Sequence, residues 1–283
     1  MLAPPLPNRF QSVETNIGGQ VGNSTWGTSI TPGNNTFPAY VEVLPNTAID
    51  TYFLEIGLFA FRASTLAKNT LVTIGIDHAG GTTYTNQEIL HLLASDAAAP
   101  SYGGVWYRFP LFIPAGSALA AKASVNNATV GTGYVGVRLW GRPTHPENMC
   151  YGTYIDSWGA ATGTSSGTSV TPGTASEGAW AEMTTGVTTR PYWWWQCGWG
   201  SNDASLINNA YTLDVGVGDA STKDVAITDE LHGNSGTVEE HGKVPLPDHR
   251  YVYETASGIR VYGRMQCNAS DASITMMAYG LGG

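Results

Sequence analysis

Gly27 to Gly33 reads GTSITPG, and Gly167 to Gly173 reads GTSVTPG. Two near-identical heptapeptides 140 positions apart, in a chain of 283 residues, mark an internal repeat. The register continues on both sides of them. Pro38 to Val43 (PAYVEV) matches Gly178 to Met183 (GAWAEM) at the same offset of 140, and Ile74-Gly75-Ile76 matches Val215-Gly216-Val217 at 141. Glu88 to His91 (EILH) matches Asp229 to His232 (DELH) at 141. Gly116 to Asn126 matches Gly258 to Asn268 at 142, with Lys122 opposite Arg264, and Tyr134 to Gly141 matches Ser273 to Gly280 at 139. A collinear repeat of this length is a duplicated domain, since solenoid units recur every 20–50 residues or so.

Each copy reads as β-structure. Short runs rich in Val, Ile, Thr, Tyr, Phe and Trp are separated by Gly, Pro, Asn and Ser clusters. Along Tyr134 to Trp140, alternation places Val135, Val137 and Leu139 on one face, as in a strand with one side on a core. The expected fold is all-β: two tandem antiparallel β-sandwich domains of jelly-roll type. The expected boundaries are an N-terminal arm over 1–25, domain 1 over 26–143, a linker over 144–165 and domain 2 over 166–283. The arm carries three prolines in its first seven residues and reads as an extended segment that orders on a partner surface. One helical signal stands apart. Thr85-x-x-Glu88 has the form of a capping box, followed by Ile89, Leu92 and Leu93 at helical spacing, so a short helix is expected there.

Composition narrows the function classes. Only 12% of residues are charged and the net charge is −9, with 13 Lys+Arg against 22 Asp+Glu. Sparse, scattered basic residues argue against nucleic-acid binding. No apolar run approaches the ~20 residues of a membrane helix. The N-terminal MLAPPLPNRF lacks the basic and apolar regions of a secretory signal. Three cysteines, Cys150, Cys197 and Cys267, are too few and too scattered for a disulfide framework, so synthesis in a reducing cytoplasm is expected.

No catalytic constellation emerges from spacing. Gly163-Thr164-Ser165-Ser166-Gly167 fits G-x-S-x-G but lacks the strand and helix that a nucleophile elbow requires. His78, His91, His145, His232, His241 and His249 are spread too widely for a metal site; His145 and Cys150 form a close pair with no second pair to join them. Asp77 and Asp219 follow equivalent strands and read as turn formers rather than Ca²⁺ ligands. Glu55, Glu88, Glu230, Glu239 and Glu240 have no partner placed by spacing. The expectation is a chain that is not an enzyme and needs no cofactor or metal. The sharpest local feature is Tyr192-Trp193-Trp194-Trp195-Gln196-Cys197-Gly198-Trp199. As a strand it points Tyr192 and Trp194 one way, Trp193 and Trp195 the other. One face lines a core; the other covers an interface or, alternatively, offers indoles for stacking on sugar rings.

Phe109 to Lys122, FPLFIPAGSALAAK, resembles a strand–Pro–Ala–Gly–strand phrase of the small β-sandwich modules in tailed-bacteriophage virions. The second copy keeps Val244-Pro245-Leu246 but replaces the Pro-Ala-Gly turn with Thr255-Ala256-Ser257-Gly258. The resemblance implies a capsid decoration, or cement, protein located in the virion and made in the host cytoplasm. Its partners would be the major capsid protein or other virion subunits, together with copies of itself in a homo-oligomer such as a trimer. The alternative is a tail or fibre module that binds a receptor or host glycan. The expected partner-binding residues are Leu6, Arg9 and Phe10 in the arm, and Trp193, Trp195 and Trp199 in the aromatic run.

Overall fold

A computed structural model describes residues 13–16, 27–59, 61, 70–84, 87–94, 105–125, 131–141, 150–159, 167–201, 210–233, 251–267 and 274–283. Among these residues the chain is all-β. The first half contains β1 (Val13–Asn16), β2 (Thr28–Ile30), β3 (Gly33–Asn34), β4 (Val41–Leu44) and β5 (Phe53–Phe59). It continues with β6 (Thr70–Asp77), β7 (Gln87–Ala94), β8 (Val105–Phe109), β9 (Ala118–Val125) and β10 (Gly133–Trp140). The second half contains β11 (Tyr154–Trp158), β12 (Thr168–Val170), β13 (Ala181–Glu182), β14 (Tyr192–Ser201) and β15 (Ala210–Gly218). It ends with β16 (Lys223–Gly233), β17 (Tyr251–Thr255), β18 (Arg260–Cys267) and β19 (Ile274–Gly282). No described helix is long and apolar enough to cross a membrane.

The strands form four sheets. The first runs β1-β10-β5-β8 with β2 also on β10, and the second runs β3-β9-β6-β7 with β4 also on β9. The third runs β11-β19-β14-β17 with β12 also on β19, and the fourth runs β13-β18-β15-β16. The order of the third repeats that of the first, strand for strand. The fourth likewise follows the second, including a parallel bridge: Gly33 lies beside Ser124 in β9, and Gly173 beside Gln266 in β18. Among the described residues the other pairs between named strands are antiparallel, and one further isolated bridge, Leu111 beside Gly152, is parallel. The heptapeptides that open each half have a shared physical reason. Gly27 and Gly167 take φ of +86° and +96°, and a Cβ at either would strike the backbone of the facing strand, at Val135 O (2.4 Å) or Met276 O (2.8 Å). Only glycine meets both demands.

Three sequence expectations change. The segment expected to be helical forms β7, paired with β6 from Thr70↔Ala94 to Ile76↔Gln87. The long antiparallel ladder overrides a local signal of only three apolar positions. The expected arm contains β1, which adds to the edge of the first sheet with Val13 opposite Trp140. The expected linker contains β11, which occupies the matching place beside β19. Just before β11, Gly152 exchanges backbone hydrogen bonds with Pro110 and Phe112, stitching the connection to the first half.

The halves also share a core. The first core gathers Leu54, Ile56 and Val137 of the first sheet with Val72, Ile74 and Leu119 of the second, but it also includes Ile155, Trp194, Met277, Tyr279 and Leu281 of the third. The second core packs Trp195, Cys197, Met276 and Ala278 of the third sheet against Leu213, Val215, Val261 and Met265 of the fourth. The third sheet is therefore a middle layer with both faces covered. That accounts for the composition of β14, where a mostly apolar run, interrupted by buried Gln196, replaces the alternation of a half-exposed strand.

Candidate partner-binding surface

The structure distributes the expected contact residues unevenly. Leu6, Arg9 and Phe10 lie outside the described residues, as does the side chain of Trp199. Trp193 is half-buried and packs against the first core. Trp195 is fully buried in the second core, where its Nε1 donates to Tyr253 O at 3.0 Å and its ring stacks on Trp158 at 5.3 Å. Its indole is thus a core element and not a surface platform.

A different face combines aromatic and charged groups. β5 turns Leu54, Ile56 and Leu58 inward and Phe53, Glu55, Gly57 and Phe59 outward. Register sets Glu55 directly between Arg138 on β10 and Arg108 on β8. Glu55 is 1% exposed, and its carboxylate accepts three hydrogen bonds: from Arg108 Nε (2.8 Å), Arg138 Nη1 (3.1 Å) and Trp140 Nε1 (3.0 Å). A buried carboxylate demands such partners. The guanidinium of Arg138 lies 5.1 Å from the centre of the Trp106 ring and 5.9 Å from that of Trp140. Phe59 meets Trp106 edge-on at 5.4 Å. Both arginine side chains keep about a third of their surface in solvent, 35% for Arg108 and 32% for Arg138. The result is a pre-set outer face of two cations and two indoles, pinned by one buried acid. Sequence spacing missed it, because β5, β8 and β10 are distant in the chain and meet only through the sheet.

In the second half the corresponding face is buried at Trp194, Gln196 and Tyr279. There Gln196 faces Tyr279 where Glu55 faces Arg138. Trp194 and Tyr279 turn toward the first half, with rings 5.8 Å from that of Phe109, and Tyr279 lies 6.0 Å from Tyr107. Burial, followed by the neighbouring Tyr107, pushes the Tyr279 hydroxyl well above the usual phenol range.

A second charged cluster lies on the outer face of the fourth sheet. Asp214 on β15 accepts from Arg264 Nε and Nη2, both at 2.7 Å, and from the backbone N–H of Asp229 at 2.7 Å. Arg264 also contacts Glu177. The carboxylates of Glu177, Asp214 and Asp229 offer oxygens within 4.8 Å of one another, a spacing suited to a metal ion, but the Arg264 guanidinium already supplies the compensating cation. Desolvation first, and Asp214 second, raise the Glu177 carboxyl above the ordinary carboxylate range. Arg264 also stacks over Trp180 at 4.2 Å, and Lys122 stacks over Tyr40 at the same 4.2 Å. These are matching positions in the two halves. A strand glycine leaves room for each ring: a Cβ on Gly75 would strike Tyr40 and Tyr84, and one on Gly216 would strike Trp180.

The remaining candidates are local. Asp77 accepts from the backbone of Ala79 and Thr83, and Asp219 from that of Ser221 and Thr222, so both form turns. The Asp219 carboxyl is held below its ordinary range by the Ser221 hydroxyl and these backbone donors. His78 bonds Gln87 at 2.7 Å. The other histidine side chains, and most of Gly163–Gly167, lie outside the described residues.

No protein-family model and no curated protein matches the chain. Among solved structures it is similar to PNGase F, a glycosylasparaginase from Flavobacterium meningosepticum, at 11% identity over 96% of each chain with a TM-score of 0.37. It is also similar to a chain of Sulfolobus Turreted Icosahedral Virus, at 8% identity over 95% of this chain and 90% of that one, with a TM-score of 0.34. A third similar structure is the tandem CBM22-1–CBM22-2 domain of Xyn10C from Paenibacillus barcinonensis, at 11% identity over 93% and 90% of the two chains, with a TM-score of 0.28. At these values the likeness assigns no residue a role. It does correct one expectation, that the chain is not an enzyme. An amidase stands among the similar structures along with a virus chain and a carbohydrate-binding module, so this architecture is no ground for excluding catalysis.

Proposed function

We propose that the chain is a structural subunit of a virion, binding capsid subunits as a decoration or cement protein. The observation that carries this reading is the outer face of the first sheet. Arg and Trp are the residues that dominate protein–protein contacts, and here Trp106, Trp140, Arg108 and Arg138 are held in place by buried Glu55. A surface whose side chains are already ordered loses little entropy on binding. The continuous core suits the role as well, because the two halves present their faces at a fixed angle. We further infer that the two halves descend from one duplicated module, since their sheets match strand for strand. The test is mass spectrometry of particles purified from infected cells. The chain should appear there in fixed ratio to the major capsid protein, and its absence from particles rejects the reading.

A second reading, a tail or fibre module that binds host glycan, is favoured by the half-buried indoles of Trp106 and Trp140 beside guanidinium groups. A glycan array separates the two. Binding that is lost on Trp106→Ala supports the glycan reading, and a blank array removes it.

A further inference from the structure

We propose that the proline-rich segment Pro4-Pro5-Leu6-Pro7 docks on an aromatic patch of its own chain formed by Tyr52, Phe112 and Tyr151. The inference goes beyond the virion-subunit reading, and its patch shares no residue with the face that carries Arg108 and Arg138.

The patch lies at the end of the first sheet, just before β5 and just past β8. Leu111 and Ile113 are buried in the first core, so Phe112 between them turns away from it. Thr51 bridges Ile113, and the neighbouring Tyr52 turns to the side of Phe112, with ring centres 5.2 Å apart. Leu111 forms a parallel bridge with Gly152, which sets Tyr151 against both rings, 4.9 Å from Tyr52 and 5.9 Å from Phe112. Tyr151 is 37% exposed, and Tyr52 and Phe112 are half-buried. The ring planes meet at 80°, 53° and 42°, so they stand as ridges with slots between them instead of one flat plane. Aromatic slots of this kind suit a polyproline II helix, whose form is set before binding. Its carbonyls have no internal partner, so a phenol such as that of Tyr151 can donate to them.

The course of β1 supplies the occupant. Val13 and Phe53 flank Trp140 from opposite sides, and both β1 and β5 run antiparallel to β10. The Tyr52 N–H donates to Trp140 O at 2.9 Å, so the chain before Val13 leaves the sheet at the end where the patch lies. Two interstrand steps, about 10 Å, separate β1 from β5. Residues 8–12 lie outside the described residues. Five extended residues span up to about 17 Å, enough to bring Pro7 to Tyr52. Pro4-Pro5-Leu6-Pro7 has the P-x-x-P form and carries no charged side chain. With three residues per turn, Pro4 and Pro7 fall on one edge of such a helix, about 9 Å apart. A short tether holds the segment near the patch at an effective concentration on the order of millimolar, so a weak contact suffices to keep it docked.

Trypsin cleavage after Arg9 in the full chain tests this, with each rate taken relative to that of a synthetic peptide of residues 1–16 carrying the same substitutions. In the wild type the bond should resist cleavage. Pro4→Ala/Pro7→Ala should speed it about tenfold, as the population of the undocked segment rises. Tyr151→Ser should act in the same direction, with near-UV circular dichroism checking that it is folded. Pro4 and Pro7 precede the first strand, so their variant decides alone should Tyr151→Ser fail to fold. The protection should be independent of protein concentration. Protection that disappears on dilution assigns the segment to a second copy and overturns docking within one chain. An unchanged rate in the proline variant overturns the proposal as well, whatever covers the patch. Both outcomes leave the virion reading standing, since that reading is decided by mass spectrometry of particles.

Discussion

Trp194 and Trp195 are neighbours in the chain and lie in different cores: the first indole packs on Phe109 of the first half, the second on Trp158 within the second half. One peptide bond of β14 thus spans the boundary between two packed interiors.

Truncating each indole should therefore have a separate address. Large-to-small aromatic core changes cost about 3–5 kcal/mol. Hydrogen exchange should show Trp194→Ala loosening β7 and β8, and Trp195→Ala loosening β15 and β18. Equal protection loss in both regions for both variants would contradict the layered arrangement.

Removing the carboxylate of Glu55 leaves two guanidinium groups facing each other over an emptied site. The expected loss is about 3 kcal/mol, the low end for breaking a buried pair, because water screens the exposed third of each arginine. Urea denaturation of Glu55→Ala measures it. Gln196→Ala, at the matching position, removes no charge and should cost less.

Gly27→Ala and Gly167→Ala place a Cβ against facing backbone at a φ that L-residues avoid. Each should destabilise by about 1–3 kcal/mol for the dihedral alone, with the clash adding to it. Thermal unfolding of the two single variants should give similar losses.

Two carboxyls should bend the pH dependence of stability in opposite directions. The Glu177 carboxyl is raised in the folded chain, so between the ordinary carboxylate range and its raised value the folded state binds more protons and stability falls as pH rises. Asp219 is lowered, so its contribution is present above the ordinary range and disappears as pH falls through its depressed value. Melting temperature against pH should flatten on the first limb for Glu177→Gln and on the second for Asp219→Asn.

Thiol labelling of the native chain should modify the exposed Cys150, with Cys197 and Cys267 reacting only after unfolding.

Much of the architecture was legible in the sequence. The repeated heptapeptides, the glycines within them and the period of two all correspond to real strands. Even the pairing of Lys122 with Arg264 across the repeat marks two equivalent cation–aromatic stacks. One alignment slipped by two residues. Ile30 faces Gly133 and Val170 faces Ile274, which sets β10 and β19 at an offset of 141 and not 139. A slip of two keeps every side chain on its own face, so the core assignment survived it. The short helix failed because three apolar positions cannot distinguish a helical stripe from a strand that pairs along eight residues. The surface was hidden for a different reason. Nothing local reveals which sheet has both faces covered, and Glu55 finds its partners 53 and 83 residues away.

The shared first core has a consequence for how such a chain can change over time. The apolar wall that seals the first half belongs to the second, so neither half can be exchanged, excised or passed to another gene as a ready-made module. Either one released alone would carry an oily scar of Tyr107 and Phe109, or of Trp194 and Tyr279, and would be exposed to precipitation or proteolysis before it found a new use.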